Sequence, residues 1–215
     1  MKAKNNRTLF VTTLLCLVPI MIGLLLWDKL PNELPTHFDF FGNPDQYSTK
    51  TFAVFALPGF ILVVNLIVNF ALNNDPKNVA QNSVMMNLGM WVAPIISILV
   101  TSMSYMIALG YDINIATVIV FVMGLLFVVI GNYMPKVKQN YTIGIKLPWT
   151  LNSEINWNRT HRFAGYIWMG FGLVLIVTLF LMSREVYAFV LFIGALSAII
   201  LPTTYSYILY KKGLD

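Results

Sequence analysis

Six runs of the chain, 8–27, 51–74, 78–111, 113–135, 163–183 and 186–210, contain no Asp, Glu, Lys or Arg. A helix rises about 1.5 Å per residue, so about 20 apolar residues cross the roughly 30 Å hydrocarbon core of a bilayer. Each run meets that length once. Segments such as Ile20–Trp27 and Val118–Ile130 are continuously apolar. Membrane-barrel strands would alternate, so the pattern predicts six transmembrane helices and an all-α integral membrane protein. The run 78–111 exceeds one crossing and reads as a polar entry, Asn78–Ser83, before a long tilted helix. Pro19, Pro58, Pro94 and Pro202 fall inside spans, where neighbouring helices can satisfy the freed carbonyls.

The 215 residues are 58% hydrophobic and 11% charged, with mean hydropathy +0.72. A soluble domain carries about a quarter charged residues. This composition excludes a soluble enzyme, and one cysteine excludes a disulfide framework. Trp27-Asp28-Lys29-Leu30 offers no cleavage site after the first span, which is therefore expected to stay in the membrane. Charge also orients the spans. Lys2, Lys4, Arg7, Lys77, Lys136, Lys138, Lys146, Arg159, Arg162, Lys211 and Lys212 lie on one side, and only Lys29, Lys50 and Arg184 on the other. Basic loops stay inside, so both termini are expected in the cytoplasm. The net +5 is then a topology signal, with no direct nucleic-acid binding implied.

No span interior carries a charge, which argues against an ion-coupled transporter. His37, His161 and Cys16 are too scattered for a zinc site, and neither a metal nor a cofactor is expected. The polar residues inside the spans are neutral. Asn65 and Asn69 share one face of the second span, and Asn87 lies one turn into the third. They suit hydrogen bonds between helices or, alternatively, a polar groove for a small molecule or lipid.

Two connections are longer than joining helices requires, and long loops carry function. The outer one contains His37, Phe38, Asp39, Phe41, Gly42, Asp45 and Lys50, with Pro31 and Pro35 imposing an extended path and Gly42-Asn43-Pro44-Asp45 a turn. Its aromatics and acids would either dip into the interface or meet an extracellular partner. The inner loop, 135–162, holds Lys146, Pro148, Trp149, Glu154, Trp157, Arg159, His161 and Arg162. Lys146–Trp149 is expected to be extended. Thr150, Asn152 and Ser153 are candidate caps for a helix running into the fifth span. Glu154, Trp157, His161 and Trp168 would form one stripe on it, with Trp149 and Trp157 at headgroup level. Ser153 and His161 stand more than two turns apart, so no catalytic residue is expected. The bland reading of this loop is a basic elbow on membrane lipid; the functional one is a docking surface for a cytoplasmic protein, or an internal gate.

The string Gly144-Ile145-Lys146-Leu147-Pro148-Trp149-Thr150-Leu151, followed by Ser153-Glu154, Trp157 and His161-Arg162, resembles the signature loop of SdpI-type bacterial immunity proteins. Leu30-Pro31, Leu34-Pro35, His37-Phe38, Gly42, Asp45 and Lys50 resemble the N-terminal membrane domain of the same family. The resemblance implies a multi-pass protein of the bacterial cytoplasmic membrane. It would comprise an N-terminal two-helix part (1–74), a third helix (75–114) and an SdpI-like domain (115–215). The implied role is protection against a secreted SdpC-like killing peptide. It also implies signal transduction by drawing a winged-helix transcriptional repressor to the membrane.

Overall fold

A computed structural model describes residues 3–77 and 83–213; most of the expected polar entry Asn78–Ser83 lies outside these. The elements are α1 (Ala3–Leu25), β1 (Glu33–Phe38), β2 (Pro44–Thr49), α2 (Leu57–Asn73), α3 (Ser83–Ala108), α4 (Ile115–Tyr133), α5 (Pro148–Asn152), α6 (Glu154–Leu181) and α7 (Arg184–Lys211). A wide helical turn, Phe52–Ala56, leads into α2. Among the described residues six helices are long and apolar enough to cross a membrane, and each overlaps one charge-free run. The helical class expected from the sequence is present, with one addition: the outer connection forms a β-hairpin.

The chain divides into two compact units, Met1–Asn73 with Asn87–Ala116, and Asn74–Met86 with Thr117–Asp215. The first is cored by Leu30, Leu34, Ala53, Val54 and Tyr105, all at most 3% exposed. Tyr105 donates its hydroxyl proton to the Pro19 carbonyl at 3.2 Å, tying α3 to α1 inside the unit. Asn65 and Asn69 are fully buried. Their hydrogen bonds, however, run along α2: Asn69 Nδ2 donates to the Asn65 carbonyl (2.8 Å) and Oδ1 (3.0 Å). Asn65 Nδ2, Asn69 Oδ1 and Ser97 Oγ are buried without a hydrogen-bond partner. Asn87 is exposed.

In the second unit α4 and α6 touch backbone to backbone through two glycine pairs. A Cβ on Gly131 would lie 2.8 Å from the Gly165 carbonyl oxygen, and one on Gly172 only 2.5 Å from that of Gly124. Small residues allow such approach where helices pack without a hydrophobic driving force. Phe171, Leu175, Tyr187, Ala188 and Ala198 form the α6–α7 core with Val120. Trp168 Nε1 donates to the Ala198 carbonyl across it at 2.9 Å.

Candidate functional sites in two loops

In the hairpin loop β1 pairs antiparallel with β2, with Leu34 opposite Ser48 and Pro35 opposite Tyr47. The ladder is irregular between Pro35 and Phe38. Leu34 is fully buried and anchors the hairpin to its unit's core. Lys50 fixes the base: its ammonium donates to the Trp27 carbonyl at 2.8 Å and lies 5.2 Å from the Trp27 ring centre. At the tip, the Asp39 carboxylate accepts from the backbone N–H groups of Phe41 (2.9 Å) and Asn43 (2.8 Å) and from Asn43 Nδ2 (2.9 Å). These bonds, that from the Asn43 side chain foremost, hold its carboxyl below the ordinary value of 3.8. Gly42 sits at φ +86° with Ala116 N 2.8 Å from where a Cβ would lie, so only glycine fits.

Of the residues read as an outward face, Asp39 and Gly42 therefore make the turn itself, and Lys50 makes the hinge. His37 Nδ1 and Asp45 Oδ1 form an exposed pair at 2.6 Å. Phe38 is half-buried and Phe41 exposed, as are Phe40 and Tyr47. The Lys50 N–H donates to the Asn32 carbonyl (2.8 Å), which fixes the alternation of the ladder. Pro35 and Tyr47 are then a non-hydrogen-bonded pair whose backbone groups point away from the partner strand. On the β1 side the Pro35 carbonyl accepts from Ser104 Oγ, so that edge is occupied. On the β2 side Tyr47 presents its outward backbone groups, while Thr49 leads into the helix, its hydroxyl accepting from the Phe52 N–H at 3.3 Å.

The signature loop is built differently. Asn140, 1% exposed, uses both ends of its amide. Its Nδ2 donates to the carbonyls of Lys138 and Ile143, and its Oδ1 accepts from the N–H groups of Thr142 and Ile143. Gly144 then turns the chain at φ +114°, where a Cβ would collide with His161 Nε2 and lie 3.1 Å from the Trp157 ring. His161 is fully buried. The Ile145 N–H donates to its Nε2 at 3.0 Å, and its Nδ1 lies 2.8 Å from the Trp157 carbonyl. A backbone N–H can only donate and a carbonyl only accept, so the proton is on Nδ1 and the ring is neutral. Trp157 stacks on it at 4.0 Å and donates Nε1–H to the Val137 carbonyl at 2.8 Å.

The remaining signature residues complete this fold. Thr150 Oγ1 accepts from the Leu147 N–H (2.8 Å) and donates to the Ile145 carbonyl (2.8 Å). Pro148 occupies the first position of α5, where its missing N–H is not needed. Ser153 caps α6, accepting from the Asn156 N–H at 3.1 Å, and Glu154 follows at the positive helix end. Trp149 stacks on Tyr210, 5.7 Å between centres. Asn156 joins α6 to α7, donating to the Ser206 carbonyl (3.1 Å) and accepting from Ser206 Oγ (2.6 Å) and Thr160 Oγ1 (3.0 Å).

Two expectations change here, and Trp157 proves to lie in the loop's interior, where its indole N–H and its ring both find partners. The stripe breaks up, since Glu154 is exposed while Trp157 and His161 are fully buried. The segment expected to be extended through Trp149 turns helical at Pro148. Lys146, Pro148, Arg159 and Arg162 are exposed.

The sequence reading passed over the connection 75–77. Asp75 accepts from the Tyr141 N–H (2.9 Å) and the Thr142 hydroxyl. Lys77 donates to Gln139, whose Nε2 donates to the Thr150 and Leu151 carbonyls (2.7 and 3.0 Å). Asp75 and Lys77 are the only charges in a short link between two spans, which was the available signal.

Residues 136–206 match the SdpI/YfhL protein family, and residues 14–62 match a domain of unknown function. The chain is 26% identical over 203 residues to the immunity protein SdpI of Bacillus subtilis, covering 94% of this chain and 95% of that protein. No solved structure matches. The resemblance carried by Gly144–Arg162 is borne out, and with it a multi-pass protein of the cell membrane.

Proposed function

Starting from a chain that is SdpI-like across its signature loop and similar to a bacterial immunity protein over nearly its whole length, we propose that this protein confers immunity on the cell that makes it. The observation that carries the reading is that similarity, spread over both loops. Expression in a sensitive strain should protect it against an SdpC-like secreted peptide; absence of protection by a membrane-inserted protein would overturn the reading.

In this reading the hairpin loop faces the exterior and both termini the cytoplasm, as the eleven-to-three distribution of Lys and Arg supports. Orientation is testable because the single cysteine, Cys16, is buried. An impermeant maleimide added to intact cells should label Gln46→Cys and leave Lys146→Cys unlabelled. The reverse pattern would invert the topology.

The hairpin is suited to an extended peptide. The outward backbone groups of Tyr47 offer strand-to-strand hydrogen bonds, and Phe40, Phe41 and Tyr47 supply exposed aromatic surface. On the opposite side, recruitment of a cytoplasmic repressor would fall to the exposed groups of the signature loop, Lys138, Lys146, Pro148 and Glu154. Loss of recruitment with retained protection in Lys146→Glu would separate the two roles. The mechanism is binding, and no residue is assigned a catalytic task.

A second reading, binding or transport of a small polar molecule or lipid, draws on the unpartnered Asn65 Nδ2 and Asn69 Oδ1. Buried amides without partners are costly, so a ligand or water there would be held firmly. Unchanged protection in Asn65→Leu would set this reading aside.

A further inference from the structure

On the α6–α7 face of the second unit a groove of about 570 Å³ is lined by Ile155, Asn158, Arg159, Arg162, Phe163, Tyr166 and Tyr205. That volume lies within the about 300–1,000 Å³ of small-molecule clefts. Helical spacing explains the lining: residues 155, 159, 162 and 166 recur at intervals of four, three and four, placing them along one face of α6. Tyr205 enters from α7, and its ring meets Phe163 at 4.6 Å and 31°, giving an aromatic floor. No lining residue is acidic, so the groove carries two positive charges at one end and aromatic carbon at the other.

Its depth is set by the sequence. Arg162 is the last charge before the uncharged run 163–183, whereas Phe163, Tyr166 and Tyr205 belong to apolar spans. The groove thus straddles the boundary where headgroups give way to acyl chains. A ligand matching it has an anionic group at the arginine end joined to apolar chain at the tyrosine end. The planar guanidinium, with its fork of N–H donors, fits phosphate oxygens bidentately. Tyrosine suits the other end, an apolar ring with a polar tip at the interface.

We propose that this groove is a binding site for an anionic phospholipid, with the headgroup phosphate on Arg159 and Arg162 and the acyl chain over Phe163, Tyr166 and Tyr205. The proposal is independent of the immunity reading. It assigns these two arginines to lipid, whereas the functional reading of the sequence assigned them to a docking protein.

The full-length protein in detergent micelles is titrated with phosphatidylglycerol, phosphatidylcholine or inorganic phosphate, and bound lipid is counted by native mass spectrometry alongside thermal unfolding. Phosphatidylglycerol should be retained and raise the melting temperature, and the other two should not. Each of Arg159→Gln and Arg162→Gln should weaken retention about fivefold, the worth of one basic residue at a membrane surface. Arg162→Lys should fall between, because it keeps charge and loses the fork. Equal retention of both phospholipids would overturn the proposal. So would reproduction of the shift by free phosphate, or full retention of phosphatidylglycerol by a folded Arg159→Gln, Arg162→Gln double variant. Loss of protein recruitment in that variant with lipid retention unchanged would reassign the arginines to a protein partner and likewise overturn it.

Discussion

The hairpin loop and the signature loop are the two long connections of the chain, yet they distribute their polar and aromatic groups in opposite ways. In the hairpin, Asp39, Gly42 and Lys50 shape the turn and base, while Phe40, Phe41, Tyr47, His37 and Asp45 remain at the surface. In the signature loop the distinctive residues face inward. Asn140, Thr150, Asn156, Trp157, Thr160 and His161 are each at most 1% exposed, and hydrogen bonds join nearly all of their polar atoms. Buried polar networks of this kind specify one conformation, because any unpaired member is costly. A sequence signature can therefore record how a loop folds more than what it touches. In the hairpin the corresponding record is a few turn residues, and the contact surface is free to vary.

The contrast can be broken most sharply at Gly144. Gly144→Ala places a Cβ against His161 Nε2 in a conformation L-residues rarely adopt. It should cost about 3 kcal/mol, combining backbone strain and overpacking. The expected result is a lower melting temperature in detergent and proteolysis within 137–152, with the hairpin intact.

A smaller effect is expected for Trp157→Phe. The stacked ring is kept, but the Val137 carbonyl loses its donor, at a cost of about 1–3 kcal/mol. A melting temperature equal to the parent's would show that the loop's rigidity does not depend on this bond.

Asp39→Asn should matter less still, loosening only the hairpin tip. Because hydrogen bonds lower the carboxyl's value in the folded state, its contribution is complete above pH 3.8 and is lost as pH falls through the folded value. Amide exchange at Phe41 and Asn43 should quicken over that acidic range in the parent protein. The pH dependence should disappear in Asp39→Asn.

Tyr47→Ala should leave stability within about 0.5 kcal/mol of the parent, as expected for an exposed side chain. In the immunity reading it should nonetheless reduce protection, measured as survival against the secreted peptide. Retained protection here, together with loss in a folded signature-loop variant, would reverse the functional contrast between the loops.

The spans were legible in the sequence because charge is excluded from hydrocarbon, a strong and local rule. Gly42 and Asn43 were legible as turn residues, but the turn closes over Asp39–Asn43, and Pro44 and Asp45, expected in it, begin β2. The strands beside it were not legible, because Pro35 and the irregular register break the alternation that marks a strand. Trp157 and His161 were recognised as important but placed on the surface. Helical spacing puts residues on a common face, yet what covers that face, here Val137 and Gly144–Ile145, arrives from earlier in the chain. Asp75 and Lys77 were missed for the same reason: their partners lie more than 60 residues away.

The paired glycines of α4 and α6 constrain how the chain can change in length. Gly124 faces Gly172 and Gly131 faces Gly165, each pair of steps spanning seven residues in opposite directions. One residue inserted between Gly124 and Gly131 would turn one contact about 100° away from its partner. Seven, close to two full turns, would nearly restore the orientation. Insertions and deletions within either interval are thereby disfavoured, so relatives should keep the seven-residue spacing of both helices.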